Sequence, residues 1–430
     1  MNLHLDSILD KTAVPALPGM FLPRAGDTPH QRRGKAVLGA LLLVAGVGLV
    51  AALTAFVRGH HVMGTTSEMP WGVLIATYVF FVVSSTGLCL VSSLGHVFGF
   101  KVFQPIAKKA IFLALVTLLV GFSVIASEIE RPILLARLAV THPNPTSPIW
   151  WMGTLYGVYM ALIATELWFL FREDHKKARV AGVASVVAAI SAHSNLGAVF
   201  GLSHARAFWY GPLLPIYFIA SALMCGASLI VLFVWVGDYF QNARKLRPEN
   251  EALIAALRKL LALFMGIVLF FTIWKLILGV AGAHYHKFDV TMASLTGPMF
   301  VSFWFFEMLL GLLVPMTILL SPKAKNPGYV ALAAASSMMS VFVMRYNFVY
   351  AGQMFSLKPF VGHMGETYHY APPFKGNVAG FLHYTPSIVE VLIVAGAISA
   401  ATLLFVGGTR VLRLAPSPAH ESTESEGGAS

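Results

Sequence analysis

Phe171-Arg-Glu-Asp-His-Lys-Lys-Ala-Arg-Val180 is a short polar break between two long apolar runs, and its cations are Arg172, Lys176, Lys177 and Arg179. Positive charge resists transfer across a bilayer, so a loop of this kind stays on the cytoplasmic side of the two spans it joins. Similar clusters recur at every second break. They are Lys11, Arg24, Arg32, Arg33 and Lys35; Lys101, Lys108 and Lys109; Arg244, Lys245, Arg247, Arg258 and Lys259; Lys323 and Lys325; and Arg410 with Arg413. The breaks between them hold only Arg58, Arg131, Arg137, Arg206, Lys287, Lys358 and Lys375, and Lys275 and Arg345 alone fall inside apolar runs. Strict alternation fixes both the number and the direction of the spans.

About twenty apolar residues cross the hydrocarbon core. Ten such runs can be drawn, near 35–57, 71–97, 110–127, 149–171, 180–202, 212–236, 260–283, 298–320, 328–350 and 386–406. The fold class is therefore all-α, a polytopic integral membrane protein. An even span count puts both termini in the cytoplasm, and the basic Arg410 and Arg413 support that independently of hydropathy. The organisation expected is a cytoplasmic segment 1–34, a ten-span membrane domain 35–406 containing a long extracytoplasmic loop 351–385, and a cytoplasmic tail 407–430. The end of that tail is rich in Ser, Glu and Pro and reads as disordered. No cleavable signal is expected, because the first apolar run is long enough to span.

Composition agrees. Of 430 residues, 57% are hydrophobic and 11% charged, against about a quarter charged in a soluble domain. The net charge of +11 sits in short juxtamembrane loops, where topology and anionic headgroups account for it, so no nucleic-acid role is expected. Cys89 and Cys225 are the only cysteines. They cannot hold a four-thiolate cluster, and Cys-x-x-Cys-His is absent, so neither an iron–sulfur centre nor covalent haem is expected here. Haem between helices needs two ligands at one depth. His96 lies at the cytoplasmic end of its span and His193 in the outer half of its own, so these two cannot share an iron. His193 with a loop histidine, His204 or His383, is the alternative left open. No metal ligand set is assigned.

Ionisable groups inside spans face protein or a water-filled path, because a charge in lipid is costly. Most cluster toward the outer half: Glu128, Glu130 and Arg131 at the end of the third span, His193 with Ser194 and Asn195 in the fifth, Lys275 in the seventh, Arg345 in the ninth and Glu390 at the start of the tenth. Glu307 lies near mid-depth and Glu166 toward the cytoplasmic end of the fourth span. This distribution reads as a polar, proton-coupled cavity close beneath the outer surface, with Glu307 and Glu166 as steps toward the cytoplasm. The bland reading is that Glu128 pairs with Arg131 on one helix face, and that single carboxylates bond the backbone of a neighbouring helix.

Several short runs are more specific. They are Glu128-Ile-Glu-Arg-Pro132, Ser147-Pro-Ile-Trp-Trp-Met152, Ile190-Ser-Ala-His-Ser-Asn-Leu-Gly197, Ser203-His-Ala-Arg-Ala-Phe-Trp-Tyr-Gly-Pro212, Phe303-Trp-Phe-Phe-Glu307, Arg345-Tyr-Asn347 leading to Gly352-Gln353, and Tyr384-Thr-Pro-Ser-Ile-Val-Glu390. In this order and at these depths they resemble the polysulfide reductase membrane-subunit (NrfD/PsrC) family. The resemblance runs from Pro70-Trp71-Gly72 to Glu390. It is nearest to the ten-span members, such as the membrane subunits of periplasmic hydrogenases and of sulfite-reduction-associated and alternative-complex-III assemblies.

The resemblance implies paired four-helix bundles plus two extra helices, with no haem or metal in this subunit. It implies quinone or quinol, menaquinone or ubiquinone, as an exchangeable substrate near the outer face. An extracytoplasmic ferredoxin-like iron–sulfur subunit would dock above it, followed by further catalytic or cytochrome subunits, all in the cell inner membrane. Carried over by motif, Glu128 and Arg131 would line the quinone pocket, His193 and Asn195 its opposite wall, and Glu307 and Glu166 the proton path. No residue is assigned as catalytic on its own. The family more often carries Asp where this chain has Glu128. The loop 351–385, with Tyr368, Tyr370, Phe374, Phe381 and Tyr384, fits a docking surface, or equally an interfacial aromatic belt. Two other classes stand beside this reading. A secondary transporter would use broken helices such as the one between Pro298 and Pro315; a purely structural anchor would carry no chemistry.

Overall fold

Twelve α-helices and one π-helical segment follow in order in the computed structural model, which describes residues 8, 19–21, 29–241, 246–281, 285–355, 360–361, 367–368 and 381–414. The cations Lys11, Arg24, Arg244, Lys245, Lys358 and Lys375, the loop aromatics Tyr370 and Phe374, and the tail from residue 415 lie outside the described residues. The helices are α1 (Pro29–Arg58), α2 (Val73–His96), α3 (Ala107–Glu128), α4 (Pro132–Thr141), α5 (Pro148–Phe171), α6 (His175–Gly201), α7 (Leu214–Gln241), α8 (Pro248–Ala281), α9 (Tyr285–Leu295), α10 (Val314–Leu320), α11 (Pro327–Ala351) and α12 (Ile388–Val411). The π-helix Val301–Leu313 runs directly into α10. Ten of these segments are long and apolar enough to cross a membrane. The protein is a multi-pass membrane protein.

Helix contacts sort the spans into the expected groups. α2, α3, α5 and α6 form one four-helix bundle; α7, α8, the π-helix with α10, and α11 form a second; α1 and α12 pair with each other against α2 and α3. The two bundles meet chiefly along α2 and α7, where Gly87 and Gly226 touch backbone to backbone. A Cβ on Gly87 would collide with the Ala222 carbonyl and approach Gly226, so only glycine allows this approach. Consecutive spans alternate in direction, which brings the Lys- and Arg-rich links to one basic face. Arg413 N–H donates to the Ile8 carbonyl at 3.0 Å, so these two residues meet on that face.

Three features depart from the runs drawn from hydropathy. α8 starts at Pro248, twelve residues before the apolar run, and is 34 residues long. Its first turns carry charge on one side, yet Leu253, Ile254 and Leu257 are buried on the other, and hydropathy averaging blurs the two. The start is pinned by Asp238, which accepts from Arg247 Nε at 2.9 Å, Arg247 N at 3.0 Å and Asn250 Nδ2 at 2.8 Å. Second, the links on the face opposite the basic one contain the short helices α4 and α9. Third, the eighth span is π-helical over 13 residues. Its wide turns loosen the carbonyl ladder, and α11 answers it: Ser340 Oγ donates to the Glu307 carbonyl at 3.1 Å, and Ser336 Oγ bonds the Leu310 carbonyl. The only strand pairing among the described residues joins Phe360–Val361 to Thr367–Tyr368.

Candidate functional site

At the face opposite the basic one, the links between spans interlock. Trp71 N–H donates to Gln353 Oε1 at 3.0 Å, and Gln353 Nε2 returns a bond to the Trp71 carbonyl at 2.8 Å. Trp71 stacks on Trp209 with ring centroids 5.1 Å apart, and Trp209 Nε1 donates to the Phe348 carbonyl at 2.8 Å. Arg206 reaches the carbonyls of Phe355 at 2.6 Å and Glu68 at 3.2 Å. Every one of these bonds joins segments far apart in sequence, and together they lock the ends of α2, α7 and α11 over the two bundles.

Beneath them lie two carboxyls with opposite circumstances. Glu390 is fully buried and fully engaged. Its oxygens accept from Gly64 N at 2.7 Å, Ser387 N at 2.8 Å and the Tyr384 hydroxyl at 2.6 Å, while Ser387 Oγ accepts from Glu390 N in a reciprocal capping box at the start of α12. Tyr384 lies in the link before α12 and also meets Val73 N–H at 2.8 Å. Burial, reinforced by the bond to Glu390, raises its phenol well above the ordinary value, so it remains a hydroxyl. Glu128 ends α3 and is 5% exposed, but neither of its oxygens completes a hydrogen bond; Gly72 N–H faces it and Glu390 lies nearby. Buried polar atoms in native structures are nearly always partnered, so this one asks for an explanation.

His193 belongs to a second set, between α5, α6 and α7. It is fully buried. Its Nε2 lies 3.1 Å from the Phe218 carbonyl and its Nδ1 3.0 Å from the Tyr156 hydroxyl. A carbonyl only accepts, so Nε2 carries the proton, and the neutral ring accepts from Tyr156 at Nδ1. Axial ligation of a haem at His193 would first have to break one of these bonds. Arg345, 0% exposed, lies over the ring of Phe218, with its guanidinium carbon 4.1 Å from that ring centroid. It bonds Ser221 Oγ and leaves Nε and Nη1 without partners.

The two sets are not joined by hydrogen bonds. From the His193 set a row of rings leads away: Phe122 is 6.2 Å from Tyr156, and Tyr78 is 6.0 Å from Phe122, centroid to centroid. The Tyr78 hydroxyl, at the end of that row, is buried without a partner. The other sequence-selected residues fall around these sets. Asn195 donates to the Pro148 carbonyl at 2.9 Å and so ties α6 to the start of α5. Arg131 is exposed in the link after α3; because the helix ends at Glu128, the two do not share a helix face. Lys275 extends over the rings of Phe208 and Tyr217, 5.7 and 5.5 Å from their centroids.

Glu166 and Glu307 lie in separate bundles. Glu166 meets His96 Nε2 at 2.5 Å, off hydrogen-bond alignment, toward the basic end of the first bundle. Tyr156, Tyr159, Ile163 and Glu166 form one buried stripe of α5, and the Tyr159 hydroxyl bonds Ser85 at 3.1 Å. Glu307 is in the second bundle, where Asn347 Nδ2 donates to it at 2.7 Å beside a small cavity also lined by Lys275 and Ser294.

A comparison with protein families is decisive at this point: the model described as polysulphide reductase, NrfD, matches residues 61–357. The chain belongs to the NrfD family. Both four-helix bundles fall within the matched residues, whereas α1 and α12 lie wholly outside. Among curated proteins, the chain is 27% identical to the Hdr-like menaquinol oxidoreductase integral membrane subunit of Archaeoglobus fulgidus, over 90% of this chain and 96% of that protein. It is 26% identical to a selenate reductase subunit of Mesobacillus selenatarsenatis, over 85% of this chain and 91% of that one. It is also 27% identical to a putative dimethyl sulfoxide reductase membrane subunit of Halobacterium salinarum, over 90% and 94%.

Within this NrfD chain, sequence reasoning passed over Tyr78, Tyr156 and the linking role of Gln353. Tyrosines in apolar helices read as ordinary core. What marks Tyr156 is its place in the polar stripe three residues before Tyr159 and ten before Glu166, a signal available from helical periodicity. Tyr78 carries no such signal, because its hydroxyl is notable only once Phe122 and Tyr156 are brought beside it.

Proposed function

We propose that this chain is the quinone-reactive membrane subunit of a respiratory oxidoreductase in a prokaryotic inner membrane, with its basic face in the cytoplasm. A quinone or quinol binds beneath the opposite face and exchanges electrons with an extracytoplasmic iron–sulfur subunit, which connects it to a catalytic partner. Family membership and the relatives' names, subunits of reductases and of a menaquinol oxidoreductase, support the class. The observation that carries the site is Glu128, a buried carboxyl with neither oxygen hydrogen-bonded.

Oxidising a quinol releases two electrons and two protons. An iron–sulfur relay takes electrons alone, so the protein must place a proton acceptor at each quinol oxygen. Glu128 fits one such position because its oxygens are uncommitted. The unpartnered Tyr78 hydroxyl can hydrogen-bond a ring oxygen, and the second proton would pass by way of Tyr156 to His193 Nδ1. His193 can pass a proton only by exchanging the bond it now accepts from Tyr156. Glu390, Tyr384 and Gln353 hold the surrounding links and do not contact the ligand in this scheme. Proton exchange with the cytoplasm through Glu166 or Glu307 belongs to the same proposal, each by its own bundle.

The test is quinol-dependent turnover by the intact complex carrying Glu128→Gln or His193→Ala, with assembly checked by co-purification of the iron–sulfur subunit. Loss of turnover by roughly a hundredfold in assembled Glu128→Gln is the expected outcome. Unchanged turnover in both variants would sink the site. A chain that purifies without any iron–sulfur partner and moves a solute on its own would sink the class.

A further inference from the structure

Far from Glu128, at the basic end of the second bundle, α8 and α10 diverge and leave a groove of about 630 Å³. Leu263 and Phe270 of α8 and Met316 and Leu320 of α10 form its apolar walls. Its floor is Gly266, where a Cβ would meet nothing within 4 Å. Most glycines on facing spans here are held by close contact, as Gly87 and Gly226 are. Gly266 has the opposite geometry, an open slot one side chain deep.

The groove has a direction. Arg258 and Lys259 close its basic end, and among the described residues neither forms an ion pair or hydrogen bond. From Arg258 to Phe270 is twelve residues of helix, a rise of about 18 Å. That is slightly more than one leaflet of a ~30 Å hydrocarbon core. The two unneutralised cations therefore stand at headgroup depth, with a hydrocarbon-lined slot running from them toward the bilayer midplane.

We propose that this groove is a binding site for an anionic phospholipid, one acyl chain lying over Gly266 and the phosphate held by Arg258 and Lys259. The charge of the site selects among occupants. A zwitterionic lipid would fill the slot but bring its own cation beside its phosphate, leaving the net charge of the pair unmatched, and a soluble anion would use the cations and leave the apolar walls bare. An anionic lipid satisfies both. The site does not depend on the quinone proposal, because it shares no residue with it. It would brace α8 against α10 where direct contact between them is thin.

The experiment uses the full chain in detergent, or its complex where the chain co-purifies with one. Phosphatidylglycerol and phosphatidylcholine with the same acyl chains are added, and bound lipid is counted by native mass spectrometry while the unfolding temperature is followed. Phosphatidylglycerol should be retained and raise the unfolding temperature, and phosphatidylcholine should do neither to a comparable extent. Arg258→Gln with Lys259→Gln, both at the protein surface, should weaken phosphatidylglycerol binding about thirtyfold, the ordinary worth of two basic side chains at an anionic headgroup. Gly266→Trp should abolish retention by filling the slot. Equal retention of the two lipids, or phosphatidylglycerol binding unchanged in the double variant, overturns the proposal.

Discussion

The Tyr156 hydroxyl donates to His193 Nδ1 across 3.0 Å, and the opposite nitrogen of the same ring donates to the Phe218 carbonyl. The pair fixes one neutral tautomer and leaves the imidazole no spare position. Tyr156→Phe removes the only donor to a buried ring nitrogen, which costs about 1–3 kcal/mol. The expected result is a lower unfolding temperature in detergent, with the complex still assembling. If protons leave the quinol by way of Tyr156, turnover in this variant falls together with that of His193→Ala. A variant that unfolds earlier but turns over normally would reduce the pair to a structural role.

Glu128 and Glu390 lie close together yet should respond differently to substitution. Glu390→Ala orphans Gly64 N–H, Ser387 N–H and the Tyr384 hydroxyl at once. At about 1–3 kcal/mol for each buried orphan, the link to α12 is expected to loosen and the yield of folded protein to drop. Glu128→Gln removes no well-formed hydrogen bond, because the Gly72 N–H only faces its carboxyl. Its unfolding temperature should stay near that of the parent while quinol turnover falls. Thermal unfolding and turnover measured on both variants check the contrast, and a Glu128→Gln protein as unstable as Glu390→Ala would contradict it.

How much of this was legible beforehand depends on which residues carry the information locally. The spans and their alternation were legible because Arg172, Lys176 and Lys177 act through the bilayer, a uniform partner that needs no tertiary knowledge. That His193 and Glu166 stand at different levels followed from helix rise alone: His193 meets Tyr156, ten residues before Glu166 on α5. The π-helix was not legible: Phe303-Trp-Phe-Phe-Glu307 has nothing in its composition to widen a turn, and the compensating Ser336 and Ser340 are some thirty residues later, on another span. Grouping Glu128 with His193 rested on shared depth, and depth does not set azimuth. α3 directs Glu128 toward Gly72 and Glu390, whereas α6 directs His193 toward Tyr156 and Phe218.

The bundle contact at Gly87 makes a sharp packing prediction. Gly87→Ala places a methyl against the backbone of Ala222 and Gly226, neither of which has a flexible end to give way. The bundles must separate locally, at about 1–3 kcal/mol for overpacking. Gly153→Ala is the control on α5, because a Cβ there meets nothing within 4 Å. It should be neutral, or stabilise slightly through the better helix propensity of alanine. Thermal unfolding of both variants decides it, and equal midpoints would mean that the Gly87 contact is loose.

The orientation of the chain is open to a direct test because its own cysteines are silent. Cys89 and Cys225 are both buried, so a membrane-impermeant thiol reagent should leave the parent protein unlabelled. Lys176→Cys puts one exposed thiol in the first turn of α6, at the basic face. Arg137→Cys puts one on α4, at the opposite face, where Arg137 is exposed and no acidic partner would be lost. With the basic face in the cytoplasm, intact cells should label only Arg137→Cys, and inverted vesicles only Lys176→Cys. The reverse pattern would carry Glu128, Tyr78 and the interlocked links to the cytoplasmic side. An extracytoplasmic iron–sulfur partner could not then reach them, while the lipid groove beside Arg258 would open to the outer leaflet.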